Sequence, residues 1–304
     1  MLAAHPDIAI PVESLFILDY LRASPSLSIA TLAHLLLNDH EFKEWGLPLE
    51  SSDLAGCKTA KELIDQIHAL YLRQQGKSIW GQKTPRFIRF GDFLKSHYPQ
   101  ARFIHIIRDP RAVVNSLINS DLHRSNTYYA AIRWQRDVRA GLDLRTKYPN
   151  DVLEVFYEDL VRQPEKTLRP ICTFLNVEFN SSMLTYHREG LKDYSTFFDH
   201  AHANLNEPPR ADRAGAWRKT LSTRDIELVE AICGELMQQV GYRPDNEMAQ
   251  SDQRYLHRLK RQRWWGLARQ ISDRVTRRFW PLFSFVWRKI RLGVFLQDMR
   301  DVNY

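Results

Sequence analysis

A chain of 304 residues with 44% hydrophobic and 12% aromatic side chains is long enough for one large domain, or a domain with an appendage, and can bury a core. Its net charge of +7 is uneven: residues 251–304 hold 13 Lys/Arg against 4 Asp/Glu, so the first 250 residues are slightly acidic and lack the basic face that nucleic acid requires. The widely spaced Cys57, Cys172 and Cys233 fit neither a disulfide framework nor a zinc site, and no apolar run is long enough for a membrane span.

The first residues, MLAAHPDIAIP, lack the basic start and long apolar stretch of a signal peptide, so with unpaired cysteines a cytoplasmic location is expected. Helical spacing through Ile29, Leu32, Leu36 and Leu37 predicts helix over 13–45, and a second helix is expected from Thr59 to Gln74. A helix carrying Phe93 and Leu94 ends at Pro99. The run ARFIHIIR (101–108) is too apolar for a surface strand and reads as a buried parallel strand. Asp109-Pro110 then turns the chain into a helix from Arg111. A long helix follows from about Asn126 to Lys147, then a second buried strand, VLEVFY (152–157), and a helix opening near Pro164. Residues 188–216 read as a long polar loop. Ser222 to Val240 is amphipathic, with Ile226, Val229, Ile232, Leu236 and Val240 on one face. The alternation of strand and helix implies an α/β fold with a parallel sheet flanked by helices, sites lying at the C-terminal strand ends. The expected division is an α/β domain over 1–245 and a basic, Trp-rich helical tail over 246–304.

Chemistry concentrates where the first buried strand ends. Arg108 reaches the functional edge of the sheet, and the helix after Asp109-Pro110 has a positive dipole end and N–H groups suited to an anion. Ser116, eight residues on, adds a hydroxyl. Arg108 can make a charge-assisted, bidentate contact. A surface Asp109–Arg111 pair with a solvated Ser116 explains the same residues equally well.

RDPRAVVNSL resembles the 3′-phosphate-binding segment of sulfotransferases that use 3′-phosphoadenosine 5′-phosphosulfate (PAPS). The resemblance continues in MLAAHPDIAIPVES, in WGQKTPRF (80–87) and in the Tyr-Glu-Asp-Leu stretch at 157–160, and the layout is closest to bacterial and tyrosylprotein-type enzymes. It implies a P-loop-like fold and transfer of a sulfuryl group from PAPS, as co-substrate and without a metal, to a hydroxyl acceptor. That acceptor can be a carbohydrate, lipid, peptide or small molecule. It also implies roles. Arg108 and Ser116 bind the 3′-phosphate and Tyr157 contacts the adenine. Arg210, seven residues before Trp217, is a further 3′-phosphate contact, with Arg213 as a rival. Glu13 is the general base and Lys83 supports the transferring group. Cytosolic small-molecule enzymes carry a His where this chain has Pro85, which adds weight to Glu13. Each residue also has a plain structural reading: a helix-start Glu, a surface Lys, a core Tyr, a solvated basic loop. His5, His200 and His202 lack companions at metal-ligand spacing.

One departure matters. The Pro-Arg/Lys-Ser-Gly-Thr-Thr loop and first strand of the family are missing from this sequence, and no other glycine-rich anion loop replaces them. Either the protein is longer before Met1, or it is a weakened, catalytically impaired relative acting as a scaffold. As written, the chain is expected to bind the 5′ end of PAPS poorly. A kinase-like phosphotransferase, the rival enzyme, lacks its Lys-bearing loop and magnesium carboxylates here. In the tail, Trp264, Trp265, Phe279, Trp280, Phe283, Phe285 and Trp287 interleave with Arg and Lys. Such a segment can lie on an anionic membrane or pack as a helical hairpin on the domain or on a second copy in a homo-oligomer.

Overall fold

The computed structural model describes residues 1–119, 125–188, 207–246, 252–262 and 286–295. Two compact units emerge, one of residues 1–85, 180–206 and 272–304, the other of 86–179 and 207–271. Of the tail sequence, residues 252–262 fall in the second of these and 286–295 in the first.

The first unit is mainly helical. Strand β1 (Ile8–Ala9) pairs in parallel with β2 (Ile79–Trp80), Ile8 opposite Ile79. The stretch expected as one helix over 13–45 is three: Phe16–Leu21, Ile29–Leu37 and His40–Lys43. Its breaks are caps. The side chains of Ser28 and Asp39 accept from the amides of Thr31 and Glu41, and each restarts a helix. Helix Ala60–Gln75 opens on a Thr59 cap and closes on Gly76 at φ +64, close to the predicted bounds. Phe16, Tyr20, Phe42, Trp45, Leu63 and Ile67 are buried. Residues 286–291 of the tail form a short helix in this unit, with Leu292 and Val294 buried just beyond it.

The second unit contains β3 (Phe103–Ile107) and β4 (Val152–Phe156), parallel and in register from Phe103–Val152 to Ile107–Phe156. Helices Pro110–Ile118, Thr127–Lys147 and Thr223–Gln239 bury a shared core of Ile107, Val114, Ala131, Trp134, Val229 and Leu236. Helices Gly91–His97, Tyr157–Arg162, Pro164–Leu175 and Trp217–Thr220 complete it, and residues 253–262 are helical.

The fold class matches the expectation, with three differences. Among the described residues the strands make two separate pairs, not one sheet. The strand at 103–107 is not buried on both faces: Ile106 is 53% exposed. Tyr157 does not end β4; it opens the following helix. The expected loop at 188–216 falls largely outside the described residues, as do His200, His202 and the tail aromatics from Trp264 to Phe285. No described helix is long and apolar enough to cross a membrane.

Candidate active site

In the second unit, β3 delivers Arg108 to its C-terminal end. The Arg108 guanidinium stacks 4.2 Å over the Tyr157 ring and donates to the Arg213 carbonyl at 3.1 Å. The Trp134 indole N–H donates to the Arg108 carbonyl at 2.8 Å, so backbone and side chain are both held. The buried Arg108 Nε has no hydrogen-bond partner among the described residues. A buried cationic donor left open costs stability unless a ligand takes it. Ser116 sits two turns into helix Pro110–Ile118, exposed, its hydroxyl without a partner among the described residues.

The helix start differs from the expectation of free N–H groups. Asp109 accepts from the Arg111 amide at 2.8 Å, and Glu158 accepts from the Asp109 amide at 3.2 Å. Carboxylates already satisfy these donors, so anion recognition here falls to side chains. The Asp109–Arg111 pair exists but is no surface pair, since Arg111 is 3% exposed. Its guanidinium bonds both Asp109 oxygens, donates to Glu230 at 2.7 Å and lies 4.1 Å over Trp217. This network joins the start of the Arg108 helix to helix Thr223–Gln239. The only sequence signal for it is a Glu on the apolar stripe of Val229, Cys233 and Leu236.

Arg210 is engaged elsewhere. It bonds Asp212 at 2.7 and 3.1 Å and lies 3.8 Å from Glu207, and its hydrogen bond to Asp212 raises its pKa. The Arg213 backbone, not the Arg210 side chain, is what touches Arg108.

In the first unit, Glu13 and Lys83 form an ion pair, with side chains 37% and 56% exposed. Such an exposed pair contributes only about 0–1 kcal/mol, so it does not hold its own geometry. The surrounding backbone does. β1 and β2 run Glu13 and Lys83 in from adjacent strands, and the next residue of each segment is buried: the Ser14 amide donates to Thr84 Oγ1 at 3.0 Å. The Ser14 hydroxyl donates to the Val12 carbonyl and accepts from the Trp45 indole at 2.9 Å. Sequence reasoning missed this clasp, because two hydroxyl residues and a distant Trp form no local pattern.

His5 is buried, its Nδ1 accepting from the Asp7 amide. Among the described residues no group of His, Cys, Asp and Glu is arranged to hold a metal.

The family model described as "Sulfotransferase family" matches residues 1–181. Protein-tyrosine sulfotransferase A of Caenorhabditis elegans is 24% identical over 170 residues, 54% of this chain and 44% of that protein. Protein-tyrosine sulfotransferase of Drosophila melanogaster is 25% identical over 198 residues, 62% and 37%. The chain therefore spans less than half the length of these relatives. The sulfotransferase domain of the Synechococcus PCC 7002 olefin synthase superposes with a TM-score of 0.52 at 24% identity, covering 75% of this chain and 86% of that one, which shows a shared fold. Over more than half its length this chain matches the model of one family, and it belongs to the sulfotransferases.

Proposed function

We propose that the chain transfers a sulfuryl group from PAPS to a hydroxyl acceptor. The observation that carries this reading is Arg108, a strand-end guanidinium braced on Tyr157 with a buried Nε open to a ligand. The open Ser116 hydroxyl adds a second donor, and together they suit a phosphate. In this reading Arg108 and Ser116 hold the 3′-phosphate, and Tyr157 meets the adenine. Arg210 joins them by exchanging Asp212 for phosphate. PAPS supplies a sulfuryl group already activated on a phosphate. Glu13 takes the proton of the acceptor hydroxyl, and the Lys83 ammonium balances charge at the transferring group. Pro85, where small-molecule enzymes carry His, leaves the base role to a carboxylate. The names of the relatives favour a tyrosine hydroxyl in a peptide as acceptor over carbohydrate, lipid or small alcohol. The wide sequence spacing of Cys57, Cys172 and Cys233 supports a cytoplasmic setting.

Calorimetric titration with adenosine 3′,5′-bisphosphate tests the reading. Arg108→Ala should weaken binding tenfold or more, the loss of a contact worth about 1.5–3 kcal/mol. Transfer from PAPS to a tyrosine peptide should then depend on Glu13, with Glu13→Gln nearly inactive. Binding without transfer supports the alternative, a catalytically impaired scaffold. Absence of binding sinks the transferase reading and leaves the scaffold.

A second proposal concerns the tail. Val286, Trp287 and Ile290 are 39%, 52% and 51% exposed on one short helix, while its Arg288 is buried. An apolar face turned outward beside Arg291, in a tail of high positive charge, suits an anionic membrane surface. Vesicles containing anionic lipid should sediment the protein, neutral vesicles should not, and Trp287→Glu should abolish the difference. Loss of concentration-dependent dimerisation in that variant, with no vesicle binding by the parent, would instead assign the face to a second copy.

A further inference from the structure

A cavity of about 410 Å³ opens at the C-terminal ends of β3 and β4, between Phe156, Tyr242 and a ring of four arginines and four carboxylates. Neither Arg108 nor Ser116 lines it. Arg111 and three of the carboxylates are already engaged. Arg111 takes Asp109 and Asp245, at 2.8 and 3.2 Å. Glu158 accepts from the Tyr242 hydroxyl at 2.6 Å and from the Asp109 amide. What remains is the guanidinium groups of Arg162, Arg218 and Arg243, in a ring whose four arginines and four carboxylates are formally balanced. None of the three guanidinium groups has an ion pair or hydrogen bond among the described residues.

These cations come from three separate elements. Arg162 closes helix Tyr157–Arg162. Arg218 lies 4.3 Å over the buried Trp217 ring, whose indole also carries Arg111, so its guanidinium is pre-positioned by stacking. Arg243 follows the turn at Gly241, where φ is +88, and the adjoining Tyr242 is fixed on Glu158. Like charges brought to one concavity repel each other unless an anion joins them, and the concave wall focuses their field. Guanidinium forks match the oxygens of phosphate and sulfate.

We infer that this cavity is a second anion site, separate from the Arg108 position, which binds a phosphate or sulfate group, free or as a monoester, through Arg162, Arg218 and Arg243. Its volume exceeds what a bare oxyanion fills, and Phe156 and Tyr242 offer apolar wall for the body of an ester.

The test titrates inorganic phosphate, and in parallel phenyl phosphate, into the protein at low ionic strength. Phosphorus resonance line width and calorimetry report binding. Arg162→Ala/Arg243→Ala should weaken phosphate binding at the cavity at least tenfold, and Arg108→Ala should leave that binding in place. Both altered side chains are exposed, so the double variant should keep its circular dichroism spectrum; Arg162→Lys/Arg243→Lys, which retains charge, should recover part of the affinity. Tighter binding of phenyl phosphate than of phosphate assigns the site to an ester; equal binding assigns it to the free ion. Titration of adenosine 3′,5′-bisphosphate on the same variants separates this site from the proposed nucleotide site, since only Arg108→Ala should impair it. Phosphate binding lost in Arg108→Ala and kept in the double variant would overturn the inference, as would parent protein that binds no phosphate.

Discussion

Gly141 lies on helix Thr127–Lys147 where it crosses β3, and a methyl group there would stand 2.1 Å from Cε1 of His105. His105 is buried, and burial lowers its pKa to about 4, so a neutral ring fills this contact. Gly141→Ala gains helix propensity of about 1 kcal/mol, but the clash with a ring that has nowhere to go costs about 1–3 kcal/mol or more. We expect net destabilisation, read as a lower urea midpoint with an unchanged slope; a stabilised variant would refute the close approach. In the sequence this contact shows only as a glycine in a helical pattern. Arg108 was legible because an apolar run, an Arg and Asp-Pro form one local phrase. Arg111 was not, since its partner Glu230 is 119 residues away. Glu13 and Lys83 were legible only through the family resemblance, and the Ser14–Thr84–Trp45 clasp beneath them not at all.

The tail helix at 286–291 shows the same limit for elements. Its periodicity was readable, but its attachment depends on Arg288 entering an acidic cluster formed by helices far earlier in the chain. Arg288 donates to Asp19 at 2.7 Å, to both Asp39 oxygens at 3.2 Å and to Glu41 at 3.1 Å, while Lys289 reaches Asp19 at 2.9 Å. Asp39 is also the cap that splits the expected 13–45 helix, so one residue both breaks that helix and receives the tail. Strand positions were legible from composition. The exposure of Ile106 was not, because an apolar run looks alike whether one face or two are covered. Removing Arg288 leaves Asp19 and Asp39 buried with their main cation gone, a loss of about 3–5 kcal/mol. Arg288→Ala should therefore raise amide exchange across Phe16–Leu21 and release residues 286–295 to proteolysis. Wild-type protection in both segments would show the cluster to be incidental.

At the scale of the molecule, each unit carries its own response to acid. In the first, burial pushes Glu41 up to about 7; Asp39 and Asp19 add to this, and Arg288 and the Phe16 amide oppose it. The folded form holds that proton where an unfolded chain, near 4.5, has lost it. Its contribution to stability is present below pH 4.5 and disappears as pH rises through about 7. His68 has the opposite sign. Burial lowers it to about 4 from 6.5, so its contribution is present above pH 6.5 and disappears as pH falls through about 4. In the second unit His105 behaves like His68. Between pH 6 and 4.5, each group changes stability by up to about 1.4 kcal/mol per pH unit, so Glu41 and His68 largely cancel while His105 does not. The Met1 amine, lowered to about 6 by burial, acts mostly above that window. Amide exchange should then show β3 and β4 losing protection on acidification from pH 6 to 4.5, while helix Ala60–Gln75 changes little. Glu41→Gln removes the compensating proton, and helix Ala60–Gln75 should then weaken with acid in parallel with the strands. Equal acid sensitivity of the two regions in the parent protein would show that Glu41 does not hold a proton in the folded state.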